Sequence, residues 1–383
     1  MEEHQKERRK RAIKVALTEI LMFFTVILLV IFLTLIVLGY NFNIKKIGTE
    51  EAIERVGLVQ ITSIPSGATV SIDGEAGDLF SRTTFSKTIS VGAHTIKLTR
   101  DGYDSWTREI EVSEGLLYRV GYPRLFLKKR IREEILTLDA GEEAEFSENG
   151  KKLVVRGTDI EAGETKESYL ELNDGKPVLK ETTKETTLEE VEKLEEEEEK
   201  ERVEKVRAKL KFGEETEIEH GEYLGEGYYV VLDKEEKAIV IYKGDPEADG
   251  LKKFFKEEFE FLPEEISVRG KGELVVVKGE GREAIYDFET GKVKEVEVEA
   301  GEKWLDGFMK YIVSDGKIIV KDFDGGNRRT LVSVEEDKES EEDEEGKVEL
   351  PEGFGVKISA NNKYLYYFIR EAGTVKLVRE KIL

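Results

Sequence analysis

At 383 residues, with 83 acidic against 60 basic side chains and a formal charge of −23, the chain has room for two or three domains of about 100–200 residues each. It is too acidic for a general affinity for nucleic acid, which rests on Lys and Arg neutralising phosphates. The lack of any cysteine excludes a disulfide framework, a thiolate nucleophile and a Cys-ligated zinc, and leaves the redox compartment unread.

The first predicted element is a membrane span. Ile20 to Leu38 contains no charge, and Thr25 and Thr34 are its polar members; a helix of this length rises about 29 Å, enough to cross the hydrocarbon core. A cleaved signal peptide would have a shorter apolar region, roughly 7–15 residues, closed by a small-residue site. Here Leu38-Gly39-Tyr40-Asn41-Phe42 follows instead, so residues 20–40 read as an uncleaved anchor. Lys6, Arg8, Arg9, Lys10, Arg11 and Lys14 precede it, whereas the first bases after it are Lys45 and Lys46. Because Lys and Arg stay on the cytoplasmic side, the tail 1–19 is expected inside the cell. The rest, from Asn41 to Leu383, is expected outside, so the chain is placed in the cell membrane as a single-pass protein.

Residues 41–56 form a polar tether. Period-two pairs then come in quick succession: Val59 with Ile61, Val70 with Ile72, Ile89 with Val91, Ile96 with Leu98 and Ile110 with Val112. Such alternation predicts half-buried strands. Pro65, Gly67, Asp73-Gly74, Val91-Gly92 and Asp101-Gly102 supply turn chemistry between them, which together predicts a small antiparallel β-sandwich over 57–127.

The anchors of this segment, in order, are Ser63, Pro65, Gly67 and Ala68, then Ile72-Asp73-Gly74, then Gly92-Ala93-His94-Thr95-Ile96, and finally Gly102-Tyr103 followed by Trp106. They resemble the PEGA domain family, named for a Pro-Glu-Gly-Ala tetrapeptide; Ser66 stands where the family has Glu, and Arg82-Thr83-Thr84-Phe85 where it usually has Thr-Pro. The loop from Glu75 to Thr84 is therefore expected to differ in shape. The resemblance implies a non-catalytic, extracytoplasmic β module with no shared ligand site. His94 alternates with Ile96 and Leu98 and is read as a partly buried structural histidine, because a metal site needs several converging ligands. Tyr103 and Trp106 are read as closing the small core.

From 128 to 383 the texture repeats. Apolar runs at Leu153 to Val155, Tyr229 to Leu232, Leu274 to Val277, Tyr311 to Val313 and Tyr364 to Phe368 each precede a hairpin signal, and Ala284 to Gly291 parallels Ile319 to Gly326 at a spacing of 35 residues. Repeated four-stranded units of roughly 40 residues predict a β-propeller. Five units are clear, and the spacing leaves five to seven blades open. The pattern Ser-x-x-Gly/Asn-Lys-x-Leu, as in Ser147-Glu148-Asn149-Gly150-Lys151-Lys152-Leu153 and Ser359-Ala360-Asn361-Asn362-Lys363-Tyr364-Leu365, resembles the WD40-like repeats of the TolB type, which implies a radial scaffold for binding.

Two insertions interrupt the repeats. Leu188 to Leu210 within 188–211 pairs Glu189 with Lys193, Glu196 with Lys200 and Glu201 with Lys205 at i, i+4, the order that favours helix. Leu188, Val191 and Leu194 make one docking stripe; Val203, Val206 and Leu210 make another. It reads as a spacer helix, with a partner-contacting protrusion as the sharper option. The run 335–349 is too polar to offset its ordering entropy and reads as an acidic loop. Asp322, Asp324 and Asn327 have the composition of a calcium loop without its spacing, so an Asx-Gly turn is expected.

No Gly-x-Ser-x-Gly elbow and no Gly-Lys-Ser/Thr phosphate loop occur. No catalytic residue, metal ligand or cofactor is nominated. The fold class is mainly β: an apolar helix, a PEGA-like sandwich and a propeller-like repeat domain. The expected role is a membrane-anchored binding or scaffold protein of the cell envelope, with a surface protein or glycan as partner. The alternative is a tethered hydrolase of wall glycans using two acids.

Overall fold

A computed structural model describes residues 2–37, 40–42, 53–76, 81–139, 142–147, 152–159, 164–172, 179–181, 200–213, 216–244, 246, 250–334, 348–351, 354–359 and 361–383. The chain divides into two compact units, Met1–Arg100 with Ser105–Arg124, and Asp101–Asp104 with Leu125–Leu383.

The first unit opens with a helix, Glu2–Val37, whose stretch Leu17–Leu35 is long and apolar enough to cross a bilayer and has none of its surface buried by protein. Within it the Thr25 hydroxyl donates to the Leu21 carbonyl and Thr34 to Val30, both at 2.8 Å, so these two hydroxyls are satisfied by the helix backbone.

The sandwich that follows has two sheets. In one, Ile53–Ile61 is flanked by antiparallel Phe85–Ser90 and, on its other side, by Tyr40–Phe42 near its start and Leu117–Val120 near its end. In the other, the order is Glu75–Ala76, Thr69–Ile72, Gly92–Thr99, Trp106–Val112. The alternating residues Val59, Ile61, Val70, Ile96, Leu98 and Ile110 point inward and are buried. The purely antiparallel expectation fails at one strand: Leu117–Val120 runs parallel to Ile53–Ile61. Its sequence, Leu-Tyr-Arg-Val, shows no alternation, because only Val120 is buried.

The Arg82-Thr83-Thr84-Phe85 departure from the family pattern has a structural role. The Ser63 hydroxyl donates to the Pro65 carbonyl (2.8 Å) and lies 2.6 Å from the Thr83 hydroxyl, which accepts from the Ala68 N–H at 3.1 Å. Backbone bonds Gly67 N–H to Thr83 O and Thr83 N–H to Ala68 O close the clasp at 2.8 and 2.9 Å. With Ser63's own proton spent on Pro65, Thr83 donates to Ser63, so each hydroxyl proton has one acceptor. Thr83→Val keeps the volume and orphans the buried Ala68 N–H, which is expected to cost about 1–3 kcal/mol. Urea unfolding followed by Trp106 fluorescence in a Trp304→Phe background measures it.

The second unit is built of five antiparallel sheets among the described residues. The first blade is Glu143–Phe146, Lys152–Asp159, Glu164–Glu171 and Leu179–Glu181. The second is Ile218–Tyr223, Glu226–Asp233, Ala238–Lys243 and Lys252–Glu258. The third is Glu265–Arg269, Leu274–Gly279, Arg282–Asp287 and Lys292–Glu297; the fourth is Lys303–Trp304, Met309–Ser314, Lys317–Asp322 and Arg329–Ser333. In the fifth, Val348–Glu349 and Lys357–Ile358 share one edge of Tyr364–Glu371, which pairs with Thr374–Lys381, and the outermost strand is Ile131–Leu138. The first strand of the unit thus completes the last blade, tying the two chain ends of the repeat domain together.

Each predicted apolar run lies in the second strand of a blade; Leu274 to Val277 is buried throughout, whereas Val313, the end of the fourth run, is exposed. The parallel segments 35 residues apart are the third strands of the third and fourth blades. Apolar clusters join the second blade to the third, the fourth to the fifth and the first to the fifth.

Two boundaries differ from expectation. Leu125 to Leu127 belong to the repeat unit rather than the sandwich: Phe126 is fully buried in the cluster of the fourth and fifth blades, and the Leu127 N–H donates to Ile382 O at 2.9 Å. Gly102 and Tyr103 go with them, the Gly102 carbonyl accepting from the Lys128 N–H at 2.9 Å. The inserted helix is described over 200–210. Its predicted stripe holds, with Val206 fully buried and Val203 and Leu210 packed against Ile218, Tyr229 and Val231; Glu201 and Lys205 pair at 3.2 Å. The stripe of Leu188, Val191 and Leu194 and the acidic run 335–347 lie outside the described residues.

Candidate functional site

The predicted motif residues of the sandwich shape turns. Gly67, Asp73, Gly74, Gly92 and Gly102 take positive φ, Ala68 is fully buried, and Trp106 is fully buried with its ring edge-on to Tyr122 at 6.1 Å. Pro65 supplies the carbonyl that Ser63 caps. Trp106 therefore closes the sandwich core as expected, whereas Tyr103 bridges to Leu127 in the repeat unit. His94 is engaged at both ring nitrogens: Nδ1 lies 2.7 Å from Asp73 Oδ2 and Nε2 lies 2.8 Å from the Ser90 carbonyl oxygen. The hydrogen bond from His94, followed by one from the Thr95 N–H, holds the Asp73 carboxyl below its ordinary value. Asp322, Asp324 and Asn327 form the expected turn, with the Asn327 amide donating to Asp322 at 2.8 Å and the Gly326 N–H to Asp324 at 3.2 Å.

Buried charge gathers where the third and fourth blades meet. Lys310, on Met309–Ser314, contacts Glu283 and lies 3.0 Å from Glu302; Lys321 lies 2.6 Å from Glu302 and 2.9 Å from Glu299. Trp304 donates its indole N–H to Glu283 at 3.3 Å. Burial pushes the Glu302 carboxyl up, but Lys321, the Glu299 N–H and Lys310 together outweigh it and hold the group below its ordinary value. Burial likewise pulls Lys321 down, and Glu302 with Glu299 more than reverses that. Two lysines thus face three glutamates, the third, Glu299, also meeting Arg328, and these ion pairs tie the third blade to the fourth.

A third arrangement is open to solvent. Strands of the second blade and the helix 200–210 surround a cavity of about 1100 Å³. The helix contributes Arg202 and Lys205; the sheet contributes His220, Tyr229, Lys243, Lys252, Lys253 and Phe254; Glu222 and Glu226 are its acids. Sheet alternation explains the placement. Tyr228, Val230 and Leu232 face the third blade, so Tyr229 and Val231 must face the other way, onto the helix. His220 sits opposite Tyr229 in register, ring centroids 5.0 Å apart. One wall is a pinch in the chain: Gly244 has φ +117°, and a Cβ there would fall 2.2 Å from the Gly250 carbonyl. Only glycine fits that approach.

Among the described residues, five cations and two carboxylates line this cavity. Lys243 Nζ stands 4.1 Å above the half-exposed Phe254 ring and 3.6 Å from Glu226. Among the described residues no group of three or more His, Asp or Glu side chains could hold a metal. Sequence reading missed this cavity because its members come from one helix and four strands, each lysine being ordinary alone. The available signals were the shift from Glu to Lys and Arg in the second half of the inserted helix and the Lys252-Lys253-Phe254 triplet.

Residues 56–123 match the PEGA domain family. No curated protein matches the chain. Similar solved structures include Kluyvelomyces marxianus Hsv2, at 6% identity and TM-score 0.26 over 60% of this chain and 57% of that one. A Lactobacillus plantarum protein shares 11% identity, TM-score 0.22, over 83% and 99%. The β-propeller domain of Myceliophteria thermophila Cps50 (Swd1) shares 10%, TM-score 0.22, over 82% and 99%. The chain thus spans little more than half of Hsv2, and at these scores the likeness is loose; the architecture rests on sheet order and register. The chain carries a PEGA domain at residues 56–123, followed by a β-propeller-like repeat domain that its own first strand closes.

Proposed function

We propose that this protein is a single-pass membrane protein whose PEGA domain and propeller stand outside the cytoplasm and serve as a non-catalytic binding or scaffold module of the cell surface. The observation that carries the reading is the helix Leu17–Leu35, apolar and wholly uncovered by protein, placed directly ahead of a PEGA domain and behind six Lys and Arg residues. A hydrolase would be favoured by two free carboxylates facing each other some 5–9.5 Å apart. The buried acids described here are instead engaged: Glu283 and Glu302 by lysines, Glu380 by the Tyr367 hydroxyl at 2.7 Å.

Alkaline extraction of membranes, followed by protease treatment of intact cells, tests it. The chain is expected to stay with the lipid pellet and to lose all but a short N-terminal fragment to the protease. Release into the alkaline supernatant, or survival of the full chain on intact cells, contradicts the reading.

A further inference from the structure

We propose that the PEGA domain rests on the bilayer that holds its anchor, through Leu58, Leu116 and Leu117, which enter the boundary between headgroups and acyl chains; this goes beyond the role proposed above and rests on its membrane span. The three leucines form one patch. Leu58 and Leu117 are register partners on adjacent parallel strands, and the Leu58 N–H donates to the Leu116 carbonyl at 2.9 Å. Val59 and Ile61 are fully buried, so Leu58, which alternates with them, points out of the sandwich. Leu58, Leu116 and Leu117 stay 40%, 62% and 37% exposed. Where their strands lie beside Phe85–Ser90, the other outward residues are Gln60, Ser86, Thr88 and Arg119. None of these is a carboxylate, in a chain with 83 acids. Glu114, two residues before Leu116, is paired with Arg55 at 3.1 Å.

Connectivity selects lipid as the occupant. Leu38 and Gly39 separate the helix Glu2–Val37 from the strand Tyr40–Phe42, so Tyr40 lies within about 11 Å of the helix end. Tyr40 pairs with Arg55 and Phe42 with Ile53; the short strand leaves the helix, and the antiparallel Ile53–Ile61 runs back toward it. Leu58 stands three residues beyond Arg55, about 10 Å at the rise of a strand. The same register, continued, sets it level with Val37, where the apolar helix ends. Three partly exposed leucines fall well short of the ~800 Å² per partner that a stable protein interface buries. A domain already tethered to the surface needs few contacts, because the short linker sets its local concentration there. Arg119 beside the patch suits the same place: apolar groups enter the interface by about 5–10 Å, and a guanidinium remains with the headgroups.

The test uses the full chain in phosphatidylcholine vesicles. An environment-sensitive fluorophore is placed on Thr88→Cys, at the exposed register partner of Leu58, or on Lys97→Cys, exposed on the outward face of the second sheet. Nitroxide carried by the lipid near its headgroup is expected to quench the first label and not the second, at low and high salt alike. Leu116→Glu with Leu117→Glu is expected to abolish the quenching at Thr88→Cys. An unchanged denaturation midpoint of Trp106 fluorescence, in the Trp304→Phe background, certifies that the domain is folded; should the glutamates unfold it, Leu116→Ser with Leu117→Ser carries the same expectation. Equal quenching of the two labels, no quenching of either, quenching that vanishes with salt, or quenching that survives the leucine replacements overturns the inference. A blue shift at Thr88→Cys that grows with protein density and escapes the nitroxide assigns the patch to a second copy of the chain, and overturns it too. Failure here in a chain that resists alkaline extraction keeps the anchor; a chain released by alkali loses the anchor and the inference together.

Discussion

Lys310→Met is expected to destabilise the propeller by about 3–5 kcal/mol, the usual consequence of leaving buried charge without its partner. The Lys310 side chain is 1% exposed, against 5% for Glu283 and 2% for Glu302, so water cannot replace the lost ammonium. Glu302 keeps Lys321; Glu283 keeps only the Trp304 N–H among its described contacts. The further change Glu283→Leu removes the stranded carboxylate and is expected to recover most of the loss, because an ion pair exchanged for packed apolar groups is often close to neutral. Guanidinium unfolding of the two single variants and the double variant, read by Trp304 fluorescence, gives the coupling directly. Additive losses in place of recovery would show that the pair is not the source of the effect.

The same cluster sets a pH dependence. Glu302's folded value lies below its unfolded one, so its contribution is complete above the ordinary glutamate range and is lost as pH falls through the folded value. Lys321's folded value lies above its unfolded one; its contribution is complete below the ordinary lysine range and is lost as pH rises through the folded value. Stability of the propeller is expected to be level between those limits and to decline beyond each.

Trp106→Ala is expected to remove about 3–5 kcal/mol from the PEGA domain. The indole is fully buried and pairs with Leu98 in register across the second sheet, so its loss opens a cavity in a small core. A domain of this size buries a modest share of its chain and has little stability to spare; unfolding near physiological temperature is the expected outcome. Protease cleavage within 56–123 reads the loss, while Trp304, one of the two tryptophans of the chain, reports the propeller and is expected to keep its midpoint. Undiminished resistance would mean that the sandwich core lies elsewhere.

What could be read in advance follows from burial. The second strands of the blades are mostly covered on both faces, so runs such as Leu274 to Val277 and Tyr364 to Phe368 stand out as unbroken apolar stretches, and all five were legible. The edge strands next to them were not: Lys303–Trp304 and Lys357–Ile358 are two residues long and half polar. The closing strand Ile131–Leu138 exposes its first four residues, and its partner, Thr374–Lys381, is more than two hundred residues away; periodicity carries no information about such a pairing. Nothing in the sequence around Lys310 and Lys321 marks them as buried. They are buried because Glu283 of the third blade and Glu299 and Glu302 of the connection to the fourth meet them, which requires the fold to be known. The cavity beside the second blade was hidden for the same reason, since helix and sheet supply its cations from positions 202 to 253.

The placement of the folded units outside the cell is most directly tested by thiol labelling, for which a chain without cysteine is a clean background. Ser66→Cys and Lys292→Cys put a thiol at exposed sites of the PEGA domain and the propeller, and Gln5→Cys puts one ahead of the span. A membrane-impermeant maleimide applied to intact cells is predicted to label the first two and to reach Gln5→Cys only after permeabilisation. Labelling of Gln5→Cys alone on intact cells would contradict the account.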